Sequence, residues 1–82
     1  MSWQSVYVRP NGDVLSTPAP TRNQAVADTV SHLMWLADMA WKHNSPRVVS
    51  YLAAALQFRN TTEGDFMWVT HAGAKYLVIQ EG

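Results

Sequence analysis

The tightest constraint on this chain is the tetrapeptide Pro10-Asn11-Gly12-Asp13, set between two β-patterned runs. In the upstream run, residues 3–9 (WQSVYVR), Val6 and Val8 share one face and Trp3, Ser5 and Tyr7 share the other, which is the period-two pattern of a strand. Residues 14–17 (VLST) read as the return strand, ended by Pro18 and Pro20. Asn-Gly is the strongest short hairpin signal because both residues tolerate positive φ. Any fold must therefore begin with an antiparallel pair.

A helical hairpin is predicted next. Thr21-Arg22-Asn23-Gln24 matches a capping box, a hydroxyl at the cap and Glu/Gln three residues later. The helix it opens runs over 22–43, with Asn44 as its stop. Ser45 then reads as an N-cap with Pro46 at the first helical position, where a missing N–H costs nothing, and this helix extends to residue 60. So short a connection forces a tight hairpin or a sharp corner. Residues 61–65 form a loop. Residues 66–71 (FMWVTH) and 76–80 (YLVIQ) read as strands around the turn 72–75.

The order ββααββ predicts one α+β domain over 1–82. Its expected form is a four-stranded antiparallel sheet of two hairpins, with a central helical hairpin packed on one face. The alternative is two separate hairpins clasping a helical pair.

Composition narrows the function. With 82 residues there is room for one core only, and no cysteine staples it or offers thiol chemistry. Six basic and six acidic residues cancel and are scattered, whereas nucleic-acid binding draws most of its affinity from a basic surplus. The start MSWQSVYVRP lacks the basic and apolar runs of a signal peptide. His32, Asp38 and Lys42 break the longest apolar stretches, far below the ~20 residues of a membrane span. The expectation is a cytoplasmic protein that binds neither membrane nor nucleic acid. Yet 48% of residues are hydrophobic and four are Trp, more aromatic area than a small core readily holds.

On a helical wheel, Val26, Val30, Leu33, Ala37 and Trp41 fall within roughly 80° and form the expected core stripe of the first helix, with Met34 beside them. Opposite lie Asp28, Trp35 and Met39, bordered by Ser31, Asp38 and Lys42 on one side and by His32, Leu36 and His43 on the other. That far strip is either covered by a neighbouring element or is an intermolecular contact, in which Trp and Met are enriched. In the second helix Val48, Val49, Leu52, Ala55 and Leu56 make the expected core stripe. Tyr51 and Phe58 flank it, and Ser50, Ala53, Ala54 and Gln57 form a smooth opposite side. With Val6, Val8, Leu77 and Ile79 turned toward the helices, Trp3, Tyr7, Tyr76 and either Phe66 or Met67 are left on an open sheet face.

No GxSxG, HExxH, phosphate loop or EF-hand occurs. His32 and His43 stand about 16 Å apart along one helix, too far to share a metal, and neither a metal nor a cofactor is expected. Asp28 and His32, at i,i+4, read as a surface ion pair before an oriented general base. His71 reads as a half-exposed strand end, and Glu63 and Asp65 as a solvated turn. Arg47 suits a helix N-terminus poorly and points to an acidic partner. Tyr7, Trp68 and Tyr76 on one sheet could stack bases, but no basic groove accompanies them.

The expected function is that of a small non-enzymatic interaction module: a homodimer that binds and modulates or inhibits a larger protein. That profile is shared by accessory and inhibitor proteins of phages and mobile elements. Its expected contact residues are Trp35, Met39, Leu36 and His32 on the helix, and Trp3, Tyr7 and Trp68 where the sheet face is open. Two other functions fit less well. One is a small-ligand-binding domain or small enzyme with an interface pocket using His32 and Asp28; the other is a single-stranded nucleic-acid binder.

Overall fold

The computed structural model describes residues 2–70 and 72–81; His71 lies outside them. Its elements are β1 (Ser2–Val8), β2 (Val14–Ala19), α1 (Arg22–Lys42), α2 (Val48–Asn60), β3 (Phe66–Val69) and β4 (Lys75–Glu81). The strands form one antiparallel sheet in the order β2-β1-β4-β3, with both helices on one face. Pairing of β1 with β4, Tyr7 opposite Tyr76 and Ser5 opposite Val78, welds the two hairpins into a single ββααββ sheet. Two separate hairpins clasping the helices are therefore ruled out.

The first hairpin closes differently from the Asn-Gly expectation. The Arg9 N–H donates to Asp13 O (2.8 Å) and the Gly12 N–H to Arg9 O (2.9 Å), and only Gly12 has positive φ, at 95°. This is a three-residue loop, a turn followed by a left-handed glycine. Proline fixes φ near −65°, so Pro10 takes the first central turn position and rules out a two-residue loop with positive φ at both central residues. The β3–β4 connection repeats the pattern: the Thr70 N–H donates to Ala74 O, the Gly73 N–H to Thr70 O, and Gly73 has φ 88°. Pro18 stands inside β2, past the predicted strand end, which is possible because β2 is an edge strand.

The Thr21 hydroxyl caps α1 by accepting from the Gln24 N–H at 3.2 Å. At the far end Asn44 is left-handed (φ 54°), its N–H donates to Trp41 O, and the Ser45 N–H donates to Ala40 O, as in a Schellman motif. The Ser45 hydroxyl accepts from the Arg47 N–H, but Pro46 and Arg47 form a turn and α2 proper begins at Val48, later than predicted.

Both helices are rotated from their predicted orientation. α1 buries Arg22, Ala25, Thr29, Leu33, Ala37 and Ala40, a stripe turned roughly 60° from the Val26–Trp41 stripe at 100° per residue. α2 buries Ala54, Ala55 and Phe58 and leaves Val49, Leu52 and Leu56 exposed. The sheet is turned over as well. Tyr76 and Val78 are buried under the helices, with Trp3, Tyr7, Phe66 and Trp68 packed beside them. Val6, Val8, Leu77 and Ile79 share the outer face instead.

One packing rule accounts for both reversals. Wide rings on the sheet, such as Tyr7 stacked on Tyr76 at 4.7 Å, fill much of the layer, so that beside Leu33 and Phe58, whose ring meets Phe66 edge-on at 4.8 Å, the helices present small residues. Ala25, Thr29, Ala54 and Ala55 supply those residues.

Candidate interaction surfaces

The rotation leaves the larger aliphatic stripes of both helices on the side away from the sheet. Met34 and Trp41 of α1 and Val49, Leu52 and Leu56 of α2 are 43–72% exposed. Val26, Val30 and Val48 are half-buried around them. A groove of about 250 Å³ is lined by Met34, Ala37, Asp38, Trp41, Val48 and Leu52. A second, of about 260 Å³, is lined by Val30, Met34, Leu52, Ala55, Leu56 and Arg59. Met34 and Leu52 line both, so the helical hairpin carries one continuous apolar furrow. Its charged border is sparse: Asp38 pairs with Lys42 at 3.1 Å, the only salt bridge among the described residues, with both side chains more than half exposed.

The outer sheet face divides in two. At one end Gln4 Nε2 donates to Glu81 Oε2 (2.6 Å), the Ser2 hydroxyl reaches the same oxygen, and the Ser16 hydroxyl donates to Gln4 Oε1. Toward the two hairpin turns the face is mainly apolar around one lysine: buried Val6 and half-buried Val8 and Leu77 lie in the central strands, exposed Lys75 stands between Val8 and Val69, and Val14, Met67 and Val69 are exposed along the edges.

A third feature is a recess between α1 and the β2 side of the sheet, of about 240 Å³, which His32 and Tyr7 help to line. Here the structure draws together residues from separate parts of the sequence. Tyr7 meets His32 edge-on at 5.3 Å, His32 meets Tyr76 at 5.3 Å, and Trp35 packs beside His32 at 6.3 Å. Burial lowers the His32 pKa below its ordinary value, so the ring is neutral at pH 7. Burial, followed by the Tyr7 and Tyr51 hydroxyls, pushes the Tyr76 phenol well above its usual range.

The expected contact residues separate accordingly. Trp35 is solvent-facing at 58% exposure. His32 and Tyr7 stand at the recess. Leu36 and Met39 are half-buried at another groove, beside Tyr51 near the α1–α2 connection. Trp3 and Trp68 lie on the helix-facing side of the sheet, Trp3 under the Arg22 guanidinium and Trp68 between Tyr51 and Tyr76. Tyr7, Trp68 and Tyr76 thus form no open stacking platform, because the helices cover that face.

Two charge expectations change, those for Asp28 and Arg47. Asp28 accepts from Gln24 Nε2 at 2.9 Å and makes neither an ion pair nor a hydrogen bond with His32. Glu63 and Asp65 lie in an exposed loop, as expected, and Asp65 ties that loop to β4 by accepting from the Gln80 N–H at 3.0 Å. Arg47 has no acidic partner among the described residues. The cation with specific contacts is Arg22, which sequence reasoning passed over. Its Nε donates to Gly64 O at 2.9 Å, and its terminal nitrogens reach Thr61 O and Glu63 O at 3.3 and 3.4 Å. Arg22 opens a helix, where a cation opposes the helix dipole, and that misfit was the available signal.

No helix among the described residues is long and apolar enough to cross a membrane. Compared with known protein families, curated proteins and solved structures, the chain matches none.

Proposed function

We propose that this protein is a non-enzymatic interaction module that self-associates through its helical layer and uses its remaining surface to bind and modulate a larger protein. One observation carries the reading: four large, exposed apolar side chains, Met34, Trp41, Leu52 and Leu56, line a furrow open to water along two helices, and exposed Val49 stands one turn from Leu52. Contiguous apolar surface of this kind marks association sites, whereas scattered single residues do not. A second copy is the commonest occupant, and a two-fold pair would stack two helical hairpins into a four-helix layer between two sheets.

Size supports this. The molecule is thin, with Cα extents of 41 × 27 × 15 Å. Its broad faces, up to 41 by 27 Å across, are wide enough to hold a contact of the ~800 Å² each partner gives to a stable complex. The apolar half of the outer sheet face, around Val6, Val8, Leu77 and Met67, then remains for the larger protein. An accessory or inhibitor role of the kind found in phages and mobile elements fits so small a chain.

Sedimentation velocity over a dilution series tests the first step. The wild-type chain should sediment as a dimer, and Leu52→Glu with Leu56→Glu should give a folded monomer. A wild-type monomer at high concentration, or a dimer that survives both glutamates, would refute association through the furrow.

A further inference from the structure

We propose that the recess between α1 and the β2 side of the sheet is a receptor for an organic cation, a guanidinium or ammonium group held by Asp28 and Ser5 beside the rings of Tyr7 and His32. At about 240 Å³ it lies below the range that holds drug-sized ligands and suits a fragment or a single side chain.

Asp28, the one carboxylate lining the recess, sets the sign of the ligand. The Thr29 hydroxyl donates to Ala25 O at 3.1 Å, which uses its only proton. Ser5 Oγ, 2.6 Å from Thr29 Oγ1, must then be the donor of that pair, and it presents only lone pairs to the recess. Asp28 spends Oδ1 on Gln24, a neutral group, and keeps Oδ2 as an acceptor. The recess therefore offers a carboxylate oxygen and a hydroxyl acceptor, beside the Thr17 hydroxyl, the Tyr7 and Tyr76 phenols and the neutral His32 ring. No lysine or arginine is among its lining residues. His32, kept neutral by burial, brings no positive charge of its own. A group that carries several donors, a positive charge and a flat or compact shape satisfies the carboxylate and the hydroxyl at once, through charge-assisted hydrogen bonds. An anion would meet the Asp28 charge, and a purely apolar group would strand the acceptors.

This inference is independent of the helical furrow, since the recess is complete within one chain. The test is an amide and side-chain NMR titration of the whole protein with butylguanidinium, and with butylurea as its uncharged counterpart. Saturable shifts centred on Tyr7, Thr29 and His32 are expected with butylguanidinium. Butylurea should bind roughly tenfold more weakly or worse, and Asp28→Asn, which keeps an acceptor for Gln24, should weaken butylguanidinium by a similar factor. Absence of saturable shifts at these residues, equal binding of butylurea, or unchanged binding to Asp28→Asn would each overturn the proposal. A blocked Ala-Arg-Ala peptide, with citrulline in place of arginine as control, separates the sources. Selective binding of the arginine peptide supports a partner's side chain as the ligand; binding of butylguanidinium alone supports a free small cation.

Discussion

Arg22 gives the sharpest test of what holds the two halves of the chain together. It is 9% exposed at the first turn of α1, yet its guanidinium reaches three carbonyls in the loop between α2 and β3. Hydrogen bonds from a charged donor contribute about 1.5–3 kcal/mol each when well formed. Only the Nε–Gly64 bond, at 2.9 Å, has full geometry; the other two are long, and their carbonyls sit in an exposed loop that water can reach. Replacement by Met keeps an alkyl chain of similar length but loses these bonds and the guanidinium over Trp3, and should cost about 2–3 kcal/mol. A chain of this length has roughly 4–12 kcal/mol in total, so the melting temperature should fall by about 10–20 °C. Urea unfolding followed by Trp fluorescence would give the free energy, and amide exchange at residues 61–64 would show whether the loop loosens first. Arg22→Lys should recover less than half of the loss, because one ammonium cannot span three carbonyls. A Met variant within about 0.5 kcal/mol of wild type would show that the contacts are incidental.

Two further outcomes follow from the packing. Ala54 is fully buried against the aromatic sheet, so Ala54→Leu should destabilise the domain by about 1–3 kcal/mol, as urea midpoints would show. His32 is neutral and desolvated in the fold, so its folded pKa lies below the unfolded value near 6.5. The unfolded chain then binds the extra proton, and stability present above pH 6.5 is lost as pH falls from there to the folded pKa, with a slope of at most about 1.4 kcal/mol per pH unit. Urea midpoints between pH 7.5 and 5.5 should show that loss in wild type and a flatter profile in His32→Gln. Parallel profiles would remove His32 as the cause.

Element order was legible because each boundary has a local chemical signal. The Thr21 cap, the Asn44 stop and the Asn11-Gly12 turn are decided within a few residues of chain, and each lies where its local chemistry places it. Smaller departures had local causes too. Pro10 occupied a turn position that Asn11 was expected to fill, and Pro18 was tolerated because β2 turned out to be an edge, which depends on sheet order and not on β2 itself. The β1–β4 pairing joins residues more than 65 positions apart, and period-two patterning says which residues share a face without saying which face is inward.

The wrongly oriented faces share one physical source. Wheel analysis ranks residues by hydrophobicity and so selects Val26, Val30, Met34 and Trp41 over Ala25 and Thr29. The interior selects by volume against what lies opposite, and opposite lies a layer of Tyr, Trp and Phe that leaves little room above it. Once the sheet brings the rings, the helices bring small residues around Leu33 and Phe58, and most of their larger aliphatic residues turn outward together. A chain optimised only as a monomer would have polar residues at Met34, Leu52 and Leu56, since nothing in the fold requires apolar side chains there. The surplus of apolar and aromatic residues noted in the composition is therefore not spread at random. Apart from Trp35 and Leu15 beside the recess, its exposed part lies on one furrow and one half-sheet, the two outer faces of a thin molecule, where a second copy and a larger partner can each cover a separate part.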